Sequence, residues 1–156
     1  MVTTKRVKLS QMDLFLILIL RYLKKRWWLI AWMWVLAIAF MISGNNDSFD
    51  VFIIVFAIIY PILLIIQYWR YATSKDNKLM LLERYYEIDG EKIKGIIDQD
   101  TISLIKTEHF IRVDLIRNTY LLYIAKNQFI YIPIDSFETD ADREWFESEI
   151  IKRLKK

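Results

Sequence analysis

A chain of 156 residues that is 55% hydrophobic and 15% aromatic, with no cysteine, excludes disulfides, thiolate catalysis and cysteine-ligated metal at once. Its net charge of +3 is unevenly placed: residues 1–80 hold ten Lys and Arg against four Asp, and residues 81–156 hold twelve against fifteen acids. The basic half is the apolar half, which points to anionic lipid head groups rather than nucleic acid.

Residues 1–26 form the first region. Thr3 to Leu9 alternates weakly, with Lys8 between Val7 and Leu9, and reads as an edge strand. Ser10-Gln11-Met12-Asp13 places an acid three residues after a serine, the capping box that opens a helix, and the apolar run Leu14 to Leu20 follows. That run is too short to cross a bilayer and is apolar all round, so it reads as an N-terminal interfacial helix, lying among head groups or leaning on the segment that follows. The competing reading is one helix running from Gln11 onward and bent at Lys24 to Arg26. No short apolar region followed by a small-residue cleavage site appears, so a removed signal peptide is not expected.

Residues 27–73 read as a transmembrane hairpin, with spans at about 27–43 and 51–69. The nineteen residues from Val51 to Trp69 carry no charge. At about 1.5 Å per residue they approach the ~30 Å of a hydrocarbon core. Trp27, Trp28, Trp32 and Trp34 crowd the start of the other span, where indole rings favour the interface. Pro61 removes a backbone hydrogen bond inside the second span and should kink it near Ala57 to Tyr60. Arg21, Lys24, Lys25 and Arg26 precede the first span, Arg70 and Lys75 follow the second, and the loop from Ser43 to Asp50, which includes Gly44, carries only Asp47 and Asp50. The positive-inside rule then makes this an inner-membrane, multi-pass protein with both termini cytoplasmic. The expected membrane-interface residues are Arg21, Lys24, Lys25, Arg26, Trp27, Trp28, Trp69 and Arg70.

The second span should continue a turn or two past Arg70, to a connector around Ser74 to Asn77. Residues 81–156 then read as a small antiparallel β domain closed by a C-terminal helix, so the whole chain is an α+β membrane protein. Tyr85–Ile88 and Glu91–Ile97 flank Asp89-Gly90, a dipeptide suited to a two-residue turn with positive backbone angles. Strands at Thr101–Lys106, Phe110–Ile116, Tyr120–Ile124 and Gln128–Ile132 follow, with turns at Asp98–Asp100, Thr107–His109, Arg117–Asn118 and Lys126–Asn127. Ile111, Val113 and Leu115 alternate with Arg112 and Asp114, as in a half-buried strand. Thr139 with Asp142 makes a second capping box, early acids and the late Lys152, Arg153, Lys155 and Lys156 suit the helix dipole, and Phe146, Ile150 and Leu154 share a stripe beside Trp145 and Ile151 that should cover the sheet.

From about Ile102 to Glu149, the short strands, Ile130-Tyr131-Ile132-Pro133-Ile134-Asp135-Ser136-Phe137, the preceding Tyr120-Leu121-Leu122-Tyr123 and the acid-capped final helix resemble the bacterial YcxB-like C-terminal domain. That family places such a domain after two membrane helices, in the order found here, although Leu104 occupies the strand in which it often carries a tryptophan. The resemblance implies a pleckstrin-homology-like sheet and helix. It transfers no catalytic or binding residue.

Chemical sites are not evident. His109 falls in a turn and reads as solvated; Asp135, Glu138, Asp140 and Asp142 lack the alternation and glycine of a calcium loop. Gly44, Gly90 and Gly95 never form a phosphate-cradling loop, and no serine is paired with a base by a recognisable motif. Tyr85, Tyr86, Tyr120, Tyr123 and Tyr131 read as core filler in preference to a ligand groove. No metal, no cofactor and no enzymatic activity are expected. The favoured function is a membrane-anchored, non-catalytic binding or scaffolding module, with the anionic bilayer and a protein partner or oligomer as its partners. An immunity or protective protein against a membrane-acting toxin is the alternative. An integral membrane enzyme ranks third, because neither span offers the polar group an intramembrane site needs.

Overall fold

The computed structural model describes residues 1–43, 47–98, 100–125 and 128–154. Gly44 and its neighbours Asn45 and Asn46 in the loop, part of the turn at Asp98–Asp100, the Lys126–Asn127 turn and the tail residues Lys155 and Lys156 lie outside them. The chain divides into two compact units: Ser10–Lys78, and a β-rich unit built from Met1–Leu9 together with Leu79–Lys156. The first nine residues thus group with the β-rich unit, although the 69 residues Ser10–Lys78 intervene between Leu9 and Leu79.

The helical unit contains α1 (Gln11–Ser43) and α2 (Ser48–Ala72). The Ser10 capping box is present: the Asp13 N–H donates to Ser10 Oγ at 3.0 Å, and the Asp13 carboxylate accepts from the Ser10 hydroxyl at 2.6 Å. One helical stretch then runs from Gln11 to Ser43, interrupted at Arg26, whose φ of −134° and ψ of 16° are not helical. The two expectations for this segment therefore merge into two helical halves joined at a break. No proline or glycine stands there. Pro61, expected to kink the second span near Ala57 to Tyr60, lies inside α2, which continues as one helix on both sides. The helices are antiparallel: Phe15 meets Trp69 edge-on at 5.5 Å, and Phe40 meets Phe49 at 6.0 Å. Ala37 and Ala57 are buried, since small residues allow close helix approach. Thr73 ends α2 by bonding back to the Trp69 carbonyl, and a 3-10 helix, Lys75–Leu81, follows.

The β-rich unit holds seven strands in two antiparallel sheets. The first is β1 (Val2–Thr3), β2 (Tyr85–Ile88), β3 (Lys92–Ile96) and β4 (Ile102–Lys106), paired in that order. The second is β5 (Arg112–Ile116), β6 (Thr119–Ala125) and β7 (Gln128–Pro133). β1 comes from the chain start: Val2 pairs with Ile88 and Thr3 with Glu87. Its extension is fastened by isolated bridges from Thr4 to Phe137 and from Val7 to Arg84, and by the Leu9 N–H donating to the Tyr131 hydroxyl at 3.0 Å. Thr4 is buried, and its Oγ1 accepts the Tyr86 N–H at 2.9 Å, doing for one residue what a ladder carbonyl would.

The turn at Asp89-Gly90 differs from expectation: Ile88 pairs with Ile93, so four residues join these paired positions of β2 and β3. Gly90 has no left-handed angle; instead the Asp89 carboxylate accepts the N–H groups of Glu91 and Lys92, both at 2.8 Å. The left-handed residue is Arg117, at φ 53°, in the two-residue turn between β5 and β6. Gly95 is required for packing: a Cβ there would come within 2.7 Å of Ser103 Oγ and 3.2 Å of the Tyr86 ring.

β6 is buried on both faces, which is why Tyr120 to Tyr123 reads as an unbroken apolar run. Tyr131, beside it on β7, meets Tyr86 of the other sheet edge-on at 6.5 Å, while Tyr120 meets Phe146 at 5.4 Å. Phe146 ends α3 (Asp140–Phe146), capped by Thr139 as expected: its Oγ1 accepts the Asp142 N–H at 3.1 Å. A π turn, Glu147–Ile151, follows, then a last turn, Lys152–Leu154. The extra residue in the π turn brings Ile151 onto the buried side with Phe146 and Ile150, and leaves Leu154 half-buried.

β5 contradicts the expected strand polarity. Arg112 lies over the Tyr123 ring at 4.2 Å and pairs with Asp114 at 3.0 Å, whereas Ile111 is 65% and Leu115 48% exposed. Alternation is intact, but β5 is an edge strand, and the closing helix buries the inner strand's Tyr120 without covering Leu115 opposite it.

Candidate membrane interface

All of the expected interface residues belong to the helical unit. The break at Arg26 separates two surfaces. Before it, Leu14, Ile17 and Leu18 are buried; after it, Trp27, Trp28, Trp32, Trp34, Val35 and Ile38 are exposed and Ala37 alone is buried. Trp27, Trp28, Ala31, Trp32 and Val35 line a shallow apolar groove, as helical spacing puts these positions on one side. The side of α2 turned away from α1 exposes large apolar side chains, among them Phe52, Val55, Ile58, Ile62 and Ile66. Both helices are long and apolar enough to cross a membrane.

The interface residues do not form one ring. Trp69 stands beside Phe15, and Phe15 lies eleven residues before Arg26, or ~16 Å along a helix axis. Arg21 to Trp28 therefore gather around the break, and Trp69 and Arg70 lie a level apart, alongside the first half of α1. Tyr22 marks the register between: its ring is 6.0 Å from that of Tyr68, and its hydroxyl is 2.7 Å from the Tyr60 hydroxyl. This Tyr22–Tyr60 hydrogen bond is a polar contact that the sequence reading passed over when it found no polar group in the spans. Two tyrosines 38 residues apart leave no local signal.

In the β-rich unit the tyrosines fill the core: Tyr86, Tyr120, Tyr123 and Tyr131 are buried and Tyr85 is half-buried. Burial pushes the Tyr86 and Tyr131 hydroxyls up from their ordinary value, and burial together with the Glu147 carboxylate does the same to Tyr120, which donates a short hydrogen bond to Glu147. His109 is exposed, with Glu108 3.8 Å away. Among the described residues no group of three His, Asp or Glu side chains could hold a metal ion. No family model, curated protein or solved structure matches this chain.

Proposed function

We propose that this is a YcxB-like, two-span inner-membrane protein that displays a pleckstrin-homology-like domain in the cytoplasm and acts without catalysis, as a binding or scaffolding module. The observation that carries the membrane reading is the change of surface at Arg26. Beyond it the hairpin presents apolar side chains on every side, an arrangement costly in water and favourable in lipid. Lys24, Lys25 and Arg26 stand where the exposed stretch begins, at the head-group level, and the acids Asp47 and Asp50 stand at its other end. The four-plus-three arrangement of strands with a closing helix supports the domain assignment.

Strand pairing supports the topology independently of charge. Because β1 and β2 lie on either side of the hairpin in sequence and share one sheet, a membrane crossed by the hairpin must be crossed an even number of times. The test uses single cysteines, clean in a chain without any. Asp47→Cys should react with a membrane-impermeant thiol reagent in intact cells, and His109→Cys should react only after the membrane is opened. Labelling of His109→Cys in intact cells would reverse the orientation, and equal labelling of both without opening would remove the hairpin from the membrane.

A further inference from the structure

We infer that the outer edge of β5 is a two-fold contact between two copies of this chain, formed by antiparallel pairing centred on Val113. β5 is the end strand of its sheet, and no strand pairs with its outer edge among the described residues. With the preceding residue it reads Ile111-Arg112-Val113-Asp114-Leu115, in which Ile111 donates its N–H inward to the Tyr123 carbonyl at 2.8 Å, so that the outer backbone edge runs from Arg112 to Ile116 and Ile111 offers only its side chain. Apolarity is palindromic in this stretch and charge changes sign about its centre: the order is apolar, positive, apolar, negative, apolar. Antiparallel pairing of two copies about Val113 sets Arg112 opposite Asp114 of the second copy, twice. On the other face it sets Ile111 opposite Leu115 and Val113 opposite itself.

Both faces gain. Ile111 and Leu115, 65% and 48% exposed in the single chain, cover one another. Arg112 and Asp114, already 3.0 Å apart within the strand, join into an alternating four-charge cluster. A slip of one residue, centred on Asp114, would put that carboxylate opposite its own copy, so charge selects the register. β4 is the other edge strand with exposed apolar residues, Ile102 and Leu104. Its sequence Ile102-Ser103-Leu104-Ile105-Lys106 has one charge and no complementary partner for it, so it offers no such selection. Edge strands are ordinarily guarded against pairing by charge; here the guarding charges are complementary to themselves. The inference rests on the β-rich unit alone and is independent of the membrane reading.

A single edge contact is weak in dilute solution, so proximity is the readout. Val113→Cys in the full chain, treated with a short bifunctional thiol reagent in native membranes and again in detergent, should give a cross-linked dimer, and Leu104→Cys should not. Adding Arg112→Asp, or Asp114→Arg, to Val113→Cys should lower the yield about tenfold, because two attractive cross-strand pairs become two repulsive ones. Co-expressing these two charge variants should restore it, since a mixed pair again sets each acid opposite an arginine. Absence of a Val113→Cys dimer, an equal yield at Leu104→Cys, or yields indifferent to the charge variants would each overturn the contact.

Discussion

Phe146 has no exposed surface and touches the Tyr120 and Phe137 rings at 5.4 and 5.2 Å, joining the closing helix to β6 and to the segment after β7. Its removal leaves a cavity that side chains fixed in a sheet cannot fill. Phe146→Ala should cost about 3 to 5 kcal/mol, much of the stability of a small domain. Hydrogen exchange of the β6 and β7 amides in the full chain should therefore accelerate strongly; rates within a factor of about two of the parent would show that the helix is not packed through this residue. Phe146 was legible in the sequence because its helical stripe follows a capping box only a few residues away. Leu115 was not, because alternation gives the face of a strand and says nothing about what covers that face.

Among the elements, the two turns of the first sheet depend on carboxylates. Asp89 is held below the usual carboxylate range by the N–H groups of Glu91 and Lys92. Asp98 is held low by the Thr101 hydroxyl and by the N–H groups of Thr101 and Asp100. A carboxylate depressed in the folded state stabilises fully above its ordinary, unfolded value, and that contribution is lost as pH falls through the depressed one. Thermal stability should thus decline on acidification through roughly pH 4 and below, and the Asp89→Asn, Asp98→Asn double variant should show a shallower decline over the same interval. An unchanged acid limb in that variant would show that other groups set it. The hairpins were readable because turn chemistry is local, yet the Asp89 turn uses a side-chain acceptor where positive backbone angles were expected. Short turns have several solutions, and Asp-Gly is compatible with more than one.

At the scale of the whole molecule, the β-rich unit is discontinuous in sequence, with Ser10–Lys78 inserted between β1 and β2. Removing residues 1–9 would strip the first sheet of its edge, deprive the Tyr86 N–H of its Thr4 acceptor and expose buried Val2, Val7 and Leu9. A chain in which Leu9 is joined to Leu79 by a flexible Gly-Ser linker should fold and melt cooperatively, whereas residues 79–156 alone should melt lower and broadly. Equal melting of the two would show that the N-terminal strand adds nothing.

Hydropathy and charge by themselves determined the two long apolar helices, the basic residues beside them and both helix caps, because transfer from water and capping depend on residues within one or two turns of each other. They also marked the strands from Tyr85 to Ile132. Only the tertiary structure decided that Val2 and Thr3 complete a sheet with residues more than eighty positions away, that Tyr22 meets Tyr60, and that the apolar side of β5 is left open. Each of these depends on which distant segment lies alongside, and a strand two residues long or a lone tyrosine carries no periodicity from which that neighbour could be read.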